Sequence, residues 1–233
     1  MAANSDHHLS RPSLSDQARD RLRAAILEGE LKPGEKINIE RVAEKFGISR
    51  TPIREALKAL ETEGLVQIKA NSGAIVEPHV WEEIRHRYRM RGLLEGYAAE
   101  LSCEHEDQEL IAKLRENCAL AKKESQVSTA LSMKKARTIA DLNRRFHRLI
   151  WLGSGSLTLL RYLESLDLPQ SFNDALYKEK SSRDIVCQHH EEIVEAFVQG
   201  NAQRARMLME RHIQLSANLV ASHAGDTVSD SCC

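Results

Sequence analysis

The stretch Asn38-Ile39-Glu40-Arg41-Val42-Ala43-Glu44-Lys45-Phe46-Gly47-Ile48-Ser49-Arg50-Thr51-Pro52-Ile53-Arg54-Glu55-Ala56-Leu57 decides the reading of this chain. Asn38 can cap a helix over 39–46 and Gly47 can end it. Ser49 is expected to cap a second helix from Arg50 to about Glu63, with Pro52 in the first turn, where its missing N–H costs little. Two helices joined in this way have helix-turn-helix spacing. Ala43 is small where they would cross, and Ile48, Ile53 and Leu57 supply the inner face. The outer face of the second helix then carries Arg50, Thr51 and Arg54. A helix N-terminus enters a major groove first, and an arginine there can pair with O6 and N7 of guanine, contributing ~1–3 kcal/mol of base discrimination. Thr51 and the terminal amides suit a phosphate.

Upstream, Leu14, Ala18, Leu22, Ala25 and Ile26 recur with helical period, and Glu30-Leu31-Lys32-Pro33-Gly34 is a turn. Downstream, Gly64 stops the second helix. Leu65–Lys69 and Ala74–Glu77 are short extended runs around Ala70-Asn71-Ser72-Gly73, a hairpin signal that makes the motif winged. Arg41, and Gly73 with Lys69 in the wing, are placed to touch the DNA backbone or minor groove. Taken singly, each arginine reads equally well as part of a solvated face partnered by Glu40, Glu55 or Glu61. The whole constellation points to double-stranded DNA.

Composition narrows the rest. The 233 residues are 42% apolar and 29% charged with only 4% aromatics, which fits one or two helix-rich domains and excludes a disordered polyelectrolyte. Lys+Arg 33 against Asp+Glu 34 leaves no bulk basic charge, so DNA contact must come from placed arginines. No apolar run approaches the ~18–20 residues that span a bilayer, and polar Met1–Ser10 is not a secretory signal, so no membrane role is expected. Cys103, Cys118, Cys187, Cys232 and Cys233 form no C-x-x-C pair and read as reduced thiols of a cytoplasmic protein. Four of the five prolines and six of the eleven glycines precede residue 93. The expected fold is therefore mainly α: a winged helix-turn-helix over 11–77, then an antiparallel all-helical bundle of about six helices over 78–223. Residues 1–10 and 224–233 are expected to be frayed ends.

In the helical half, apolar stripes run through Leu93, Leu94, Tyr97, Ala98 and Leu101; Leu110, Leu114 and Ala121; Ile139, Phe146 and Ile150; Leu157, Leu160, Leu163 and Leu166; Val186, Ile193 and Phe197; and Ala205, Leu208, Leu215 and Leu219. Polar residues inside these stripes are the informative ones. His212 falls in the last seam, and His190, rather than His189, faces inward on the helix before it. His190 is ten residues before Gly200 and His212 eleven after Asn201. Both therefore lie roughly 15–17 Å from the turn, at one level. His147, with Asn143 one turn earlier, adds a third imidazole and an amide oxygen. Three imidazoles suit a divalent ion, Zn²⁺ or Ni²⁺, and leave coordination positions open. Such a site is also compatible with activating water, but the sequence offers no obvious glutamate base for it and no G-x-S-x-G motif. An enzyme is not expected. Arg91 is a candidate for holding an effector carboxylate, and reads equally well as the partner of a buried glutamate.

The run Ile39–Leu57 followed by Leu60-Glu61-Thr62-Glu63-Gly64-Leu65-Val66, with Leu31-Lys32-Pro33-Gly34 and Gly73, resembles the winged-helix domain of GntR-family transcription regulators over residues 14–77. The resemblance implies a homodimer on a short pseudo-palindromic operator, with DNA contacts at Arg41, Arg50, Thr51, Arg54 and Gly73. About residues 80–222 resemble the FCD-type sensing domain of the FadR-like branch, through Arg91 with Leu94-Glu95, Asn143-Arg144-Arg145-Phe146-His147, His190 through Ala196 with Gly200-Asn201, and Met209-Glu210-Arg211-His212. This implies a divalent metal at Asn143, His147, His190 and His212, with a small carboxylate or sugar acid beside it. Many members carry Asp where this chain has Asn143. The expectation is a repressor whose operator affinity follows that effector; the alternative is a regulator for which the ion is itself the signal.

Overall fold

The computed structural model describes residues 13–27, 29–69, 73–126, 131–166, 177 and 179–223, with side chains at 133 and 219–223 left aside. The two chain ends, the Ala70-Asn71-Ser72 tip, Pro169, the Leu219 side chain, Cys232 and Cys233 lie outside the described residues. The chain divides into two compact units, Met1–Val80 and Trp81–Cys233.

The first unit runs α1 (Leu14–Leu27), β1 (Lys36–Ile37), α2 (Ile39–Phe46), α3 (Arg50–Thr62), β2 (Val66–Lys69) and β3 (Gly73–Val76). Asn38 caps α2 as expected, its Oδ1 accepting the N–H groups of Glu40 and Arg41 at 2.9 and 3.1 Å, and Gly47 closes that helix at φ 67°. Ser49 departs from expectation. It sits at the N-cap of α3 with extended backbone, but its side chain makes no capping bond. An N-cap hydroxyl seeks the N–H of the second or third helical residue, and the third is Pro52, which has none. The strands form an antiparallel sheet in the order β1-β3-β2. The hairpin was legible in the sequence; β1, two residues long, was not.

Ala18, Leu22, Ile26, Ile37, Ile53, Leu57, Leu60 and Val76 are buried together in this unit, while Leu14, the first residue of the α1 stripe, is exposed. Arg23 is buried as well. Its Nε donates to Glu63 at 2.9 Å and its Nη1 to Asp20 at 2.8 Å, tying α1 to the end of α3.

Among its described residues the second unit contains α4 (Val80–Glu104), α5 (Gln108–Ser125), α6 (Met133–Gly153), α7 (Leu157–Leu166), α8 (Lys180–Val198) and α9 (Ala202–His223), in keeping with the helical bundle expected. On α4 the buried face is rotated from the expected stripe. Arg91, Gly92, Glu95, Gly96, Ala98 and Ala99 are buried, whereas Leu93 is 60% and Tyr97 46% exposed. Two features explain this. Arg91 and Glu95 pair with each other, which makes their burial tolerable. Gly92 and Gly96 admit α9 closely: a Cβ at Gly96 would lie 2.5 Å from Glu210 Cγ. On α7, Leu159 and Leu163 are inside and Leu157, at the helix start, is 71% exposed. The α9 seam centres on Ala205, Met209, His212, Ile213 and Ala217, with Leu208 and Leu215 only half-buried.

Candidate functional site

The residues expected to face DNA sit where helix phase puts them. Ile53, Ala56, Leu57 and Leu60 fix α3 against the core, so Arg50, Thr51 and Arg54 are turned outward and exposed. Arg50, Arg54, Lys58, Lys69 and Gly73 line a groove between α3 and the wing, with Glu40 at its edge. Arg41 is exposed beside it and lines a neighbouring pocket with Arg21, Lys36 and Lys45. Arg50 Nη1 is 3.0 Å from Glu40 Oε1, and both side chains are more than half exposed. A surface pair of this kind contributes at most ~1 kcal/mol, so Glu40 holds the guanidinium only weakly. Gly73 has φ 90°, and a Cβ there would lie 2.5 Å from the Ile37 carbonyl oxygen. The sheet therefore demands glycine at this position on its own account.

In the helical unit, His147 from α6, His190 from α8 and His212 from α9 converge. All three are buried, and one potential ligand atom from each lies within 4.8 Å of the others. His147 Nε2 and His212 Nε2 are 3.3 Å apart. Two nitrogens on one tetrahedral ion with bonds of about 2.1 Å stand roughly 3.4 Å apart. That pair is already at ligating distance, and the third ligand atom needs to close by at most about 1.4 Å. His190 Nε2 and His212 Nδ1 are buried with no hydrogen-bond partner among the described residues, as is Asn143 Oδ1, one turn before His147. Bare His190 Nε2 and Asn143 Oδ1 are costly to bury and fit a metal-binding donor set, to which His212 would bring the Nε2 already at ligating distance. Phe146 stacks on His190 with ring centroids 3.8 Å apart and planes 9° from parallel, which fixes that imidazole's plane.

Electrostatics keep two of the three imidazoles in ligating form. Burial, with neighbouring imidazoles adding to it, pushes His190 and His212 well below the usual histidine range, so both are neutral near pH 7 and keep a lone pair. Beneath His147 lies Glu95, wholly buried. Its Oε2 lies 2.6 Å from His147 Nδ1 and accepts from Trp151 Nε1 at 3.1 Å; its Oε1 accepts from Arg91 Nε and Nη2 at 3.0 and 2.8 Å. Burial acts to raise this carboxyl, but His147 and Arg91 more than reverse it and hold it at about 2.

Sequence reasoning therefore located the three imidazoles that meet. It placed Arg91 near them, and there the guanidinium fork is bonded to Glu95. It missed Glu95, although Glu95 stands four residues after Arg91 on one helix, the spacing of an ion pair. It missed Trp151, four residues after His147. It also turned His189 outward, whereas His189 is buried with its ring centroid 5.7 Å from that of His212. Among the cysteines described, Cys103 and Cys118 are buried and Cys187 is half-buried, all as free thiols; burial pushes Cys118 up to about 12.

Comparison with known proteins places both halves. Residues 14–76 match the family described as bacterial regulatory proteins, gntR family, and residues 86–215, more than half of the chain, match the FCD domain. The chain belongs to the GntR family. Its relatives include the HTH-type transcriptional regulator YdhC of Bacillus subtilis, 28% identical over 84% of this chain and 86% of that one. Another is the protein named "Probable D-xylose utilization operon transcriptional repressor" of Paenarthrobacter nicotinovorans, 24% identical over 88% of each chain. The fold is that of E. coli McbR/YncC, with a TM-score of 0.60 and 21% identity over 90% of this chain and 98% of the other. This GntR-family chain is thus a DNA-binding transcription regulator with an FCD domain, not an enzyme. Among its described residues no helix is long and apolar enough to cross a membrane.

Proposed function

We propose that this regulator is a cytoplasmic homodimeric repressor that releases a pseudo-palindromic operator when a small carboxylate or sugar acid binds beside a divalent ion in the FCD domain. The observation that carries the reading is the buried His147-His190-His212 cluster with its unpartnered acceptor atoms. The three imidazoles, with Asn143 Oδ1 as a neutral donor, would hold Zn²⁺ or Ni²⁺, and such an ion supplies a Lewis-acid anchor for one end of an anion. Arg91, 5% exposed beside the cluster, would meet the anion's carboxylate in exchange for part of its pairing with Glu95. Arg50 and Arg54 would read bases, with Arg41, Thr51 and Gly73 on the backbone or minor groove. A relative named as a repressor supports that sign.

Dimerisation is supported by an exposed apolar strip, Met90, Leu93 and Tyr97 on α4 with Met207 on α9, which borders a groove carrying charges of both signs at Arg89, Glu210 and Arg211. Both signs on one surface suit a two-fold copy of itself. Sedimentation of Leu93→Glu as a monomer, against a wild-type dimer, tests this.

The effector can shift operator affinity only by its differential affinity for two states. The test is fluorescence anisotropy on operator DNA with Zn²⁺-loaded protein, scanning small carboxylates and sugar acids. A ligand that raises Kd in wild type but not in His190→Ala supports the reading; ligands that bind the loaded protein and leave operator Kd unchanged oppose it. A second reading, with the ion itself as signal, is favoured by the engagement of Arg91 with Glu95. It predicts that Zn²⁺ alone shifts operator Kd.

A further inference from the structure

We propose that Glu95 is the positioning residue of the histidine cluster: it fixes His147 in the tautomer that carries its proton on Nδ1, turns Nε2 inward as the ligand atom, and is itself held by Arg91. The inference rests on the metal-site reading above and assigns a role that the three imidazoles alone do not contain.

The geometry leaves little freedom. Both carboxylate oxygens of Glu95 are occupied by donors, His147 Nδ1 and Trp151 Nε1 on Oε2, Arg91 Nε and Nη2 on Oε1. An ionised carboxylate only accepts hydrogen bonds, so His147 Nδ1 must be the donor across 2.6 Å. A neutral imidazole has one N–H, and with it spent on Glu95 the lone pair belongs to Nε2. That nitrogen is the one 3.3 Å from His212 Nε2, in the middle of the cluster. In the metal-free protein His212 is then the donor of that contact and its Nδ1 is left bare, which agrees with the unpartnered state of that atom. A carboxylate behind a ligating histidine also makes the ring a stronger donor to metal.

Glutamine cannot do the same work, although its shape is nearly identical. It offers one oxygen and one NH₂. Turned one way, the NH₂ faces the Arg91 guanidinium; turned the other, it faces His147 Nδ1 and Trp151 Nε1. Either orientation sets donor against donor in a fully buried position. The arrangement also explains why α4, which contributes none of the three imidazoles, belongs to the site.

The test uses the full-length protein and Zn²⁺ as probe. Long-range ¹H–¹⁵N correlation on the metal-free wild type reads the tautomer directly: His147 protonated on Nδ1 is expected, and His147 protonated on Nε2 overturns the proposal without any variant. Zn²⁺ titration against a chromophoric chelator is expected to show Glu95→Gln binding 10–100-fold more weakly than wild type, with its His147 signal moved towards the other tautomer. His212→Ala is expected to lose Zn²⁺ while His147 keeps its Nδ1 proton, because Glu95 is still present. Glu95→Gln that binds Zn²⁺ within twofold of wild type and keeps the Nδ1 tautomer overturns the positioning role, even if its thermal stability drops, and leaves the metal reading standing. Wild type that takes up no Zn²⁺ overturns both.

Discussion

Replacing Gly73 by alanine is a perturbation whose size follows from two quantities. The backbone at 73 has φ 90°, where an L-residue costs about 1–2 kcal/mol. The added Cβ would also stand 2.5 Å from the carbonyl oxygen of Ile37, a backbone atom held by the pairing of β1 with β3 and unable to rotate aside. Ordinary contact begins near 3.4 Å, so β1 must part from β3 by about 0.9 Å, and overpacking of this kind costs about 1–3 kcal/mol. The wing should therefore lose about 2–5 kcal/mol of local stability. The assay is amide hydrogen exchange on the full chain, read at the Val76 N–H, which donates to Glu35 O at 2.9 Å between β3 and the segment leading into β1. At 2 kcal/mol its protection should fall about 30-fold. Gly73→Asn should lie between alanine and wild type, because asparagine tolerates positive φ but still carries a Cβ. A change below threefold in Gly73→Ala would refute the claim that glycine is required here by the sheet.

The remaining expectations can be checked independently. Arg54→Ala should weaken operator binding by about 1–3 kcal/mol and relax preference at one base pair, whereas Arg50→Ala should also free Glu40; anisotropy against single-base operator variants reads both, and undiminished discrimination in both variants contradicts the assignment of α3 as the reading helix. His190 and His212 are depressed by burial, so the unfolded chain binds more protons than the folded one below about pH 6.5. Their contribution is complete above that pH and lost as pH falls toward the folded values; urea unfolding followed by Trp81 and Trp151 fluorescence should show declining stability from pH 7.5 to 5, and a flat or rising profile would be wrong for this site. Zn²⁺ at about 100 times its Kd should stabilise the protein by ~2.7 kcal/mol, reversed by chelation, and His212→Ala should abolish the shift.

What the sequence revealed, and what it hid, follows from the range of the forces involved. Asn38, Gly47 and the hairpin act on their neighbours, so α2, α3 and the wing could be read locally. Ser49 looked like a cap because its own type favours one; Pro52, three residues on, removed one of the two amides it could have bonded. His190 and His212 could be brought to one level because Gly200-Asn201 fixes the register of two antiparallel rods. The α4 face was misread because periodicity counts apolar residues. Here the inside is made of an ion pair and two glycines, chosen by what lies opposite: Glu210 over Gly96, His147 and Trp151 over Glu95. His189 was misassigned for a related reason, since α8 buries an arc wide enough to include two adjacent histidines. Glu95 could have been paired with Arg91 from spacing alone, but its place behind His147 needed the knowledge that α6 passes beside it.

The order in which the chain is made gives the two units different birthdays. The groove-reading unit is complete once Val80 has been added, and domains generally fold as units, amino-terminal first. The socket draws on Glu95, His147, His190 and His212, so it cannot close until the last helix is in place. A nascent chain, or one cut short by a nonsense mutation after the wing, would hold a formed DNA-reading head with nothing to tell it when to let go. Truncations between α4 and α9 are therefore expected to keep a folded head that answers to neither ion nor anion, and to hold the operator more weakly for want of Met207 in the α4–α9 strip.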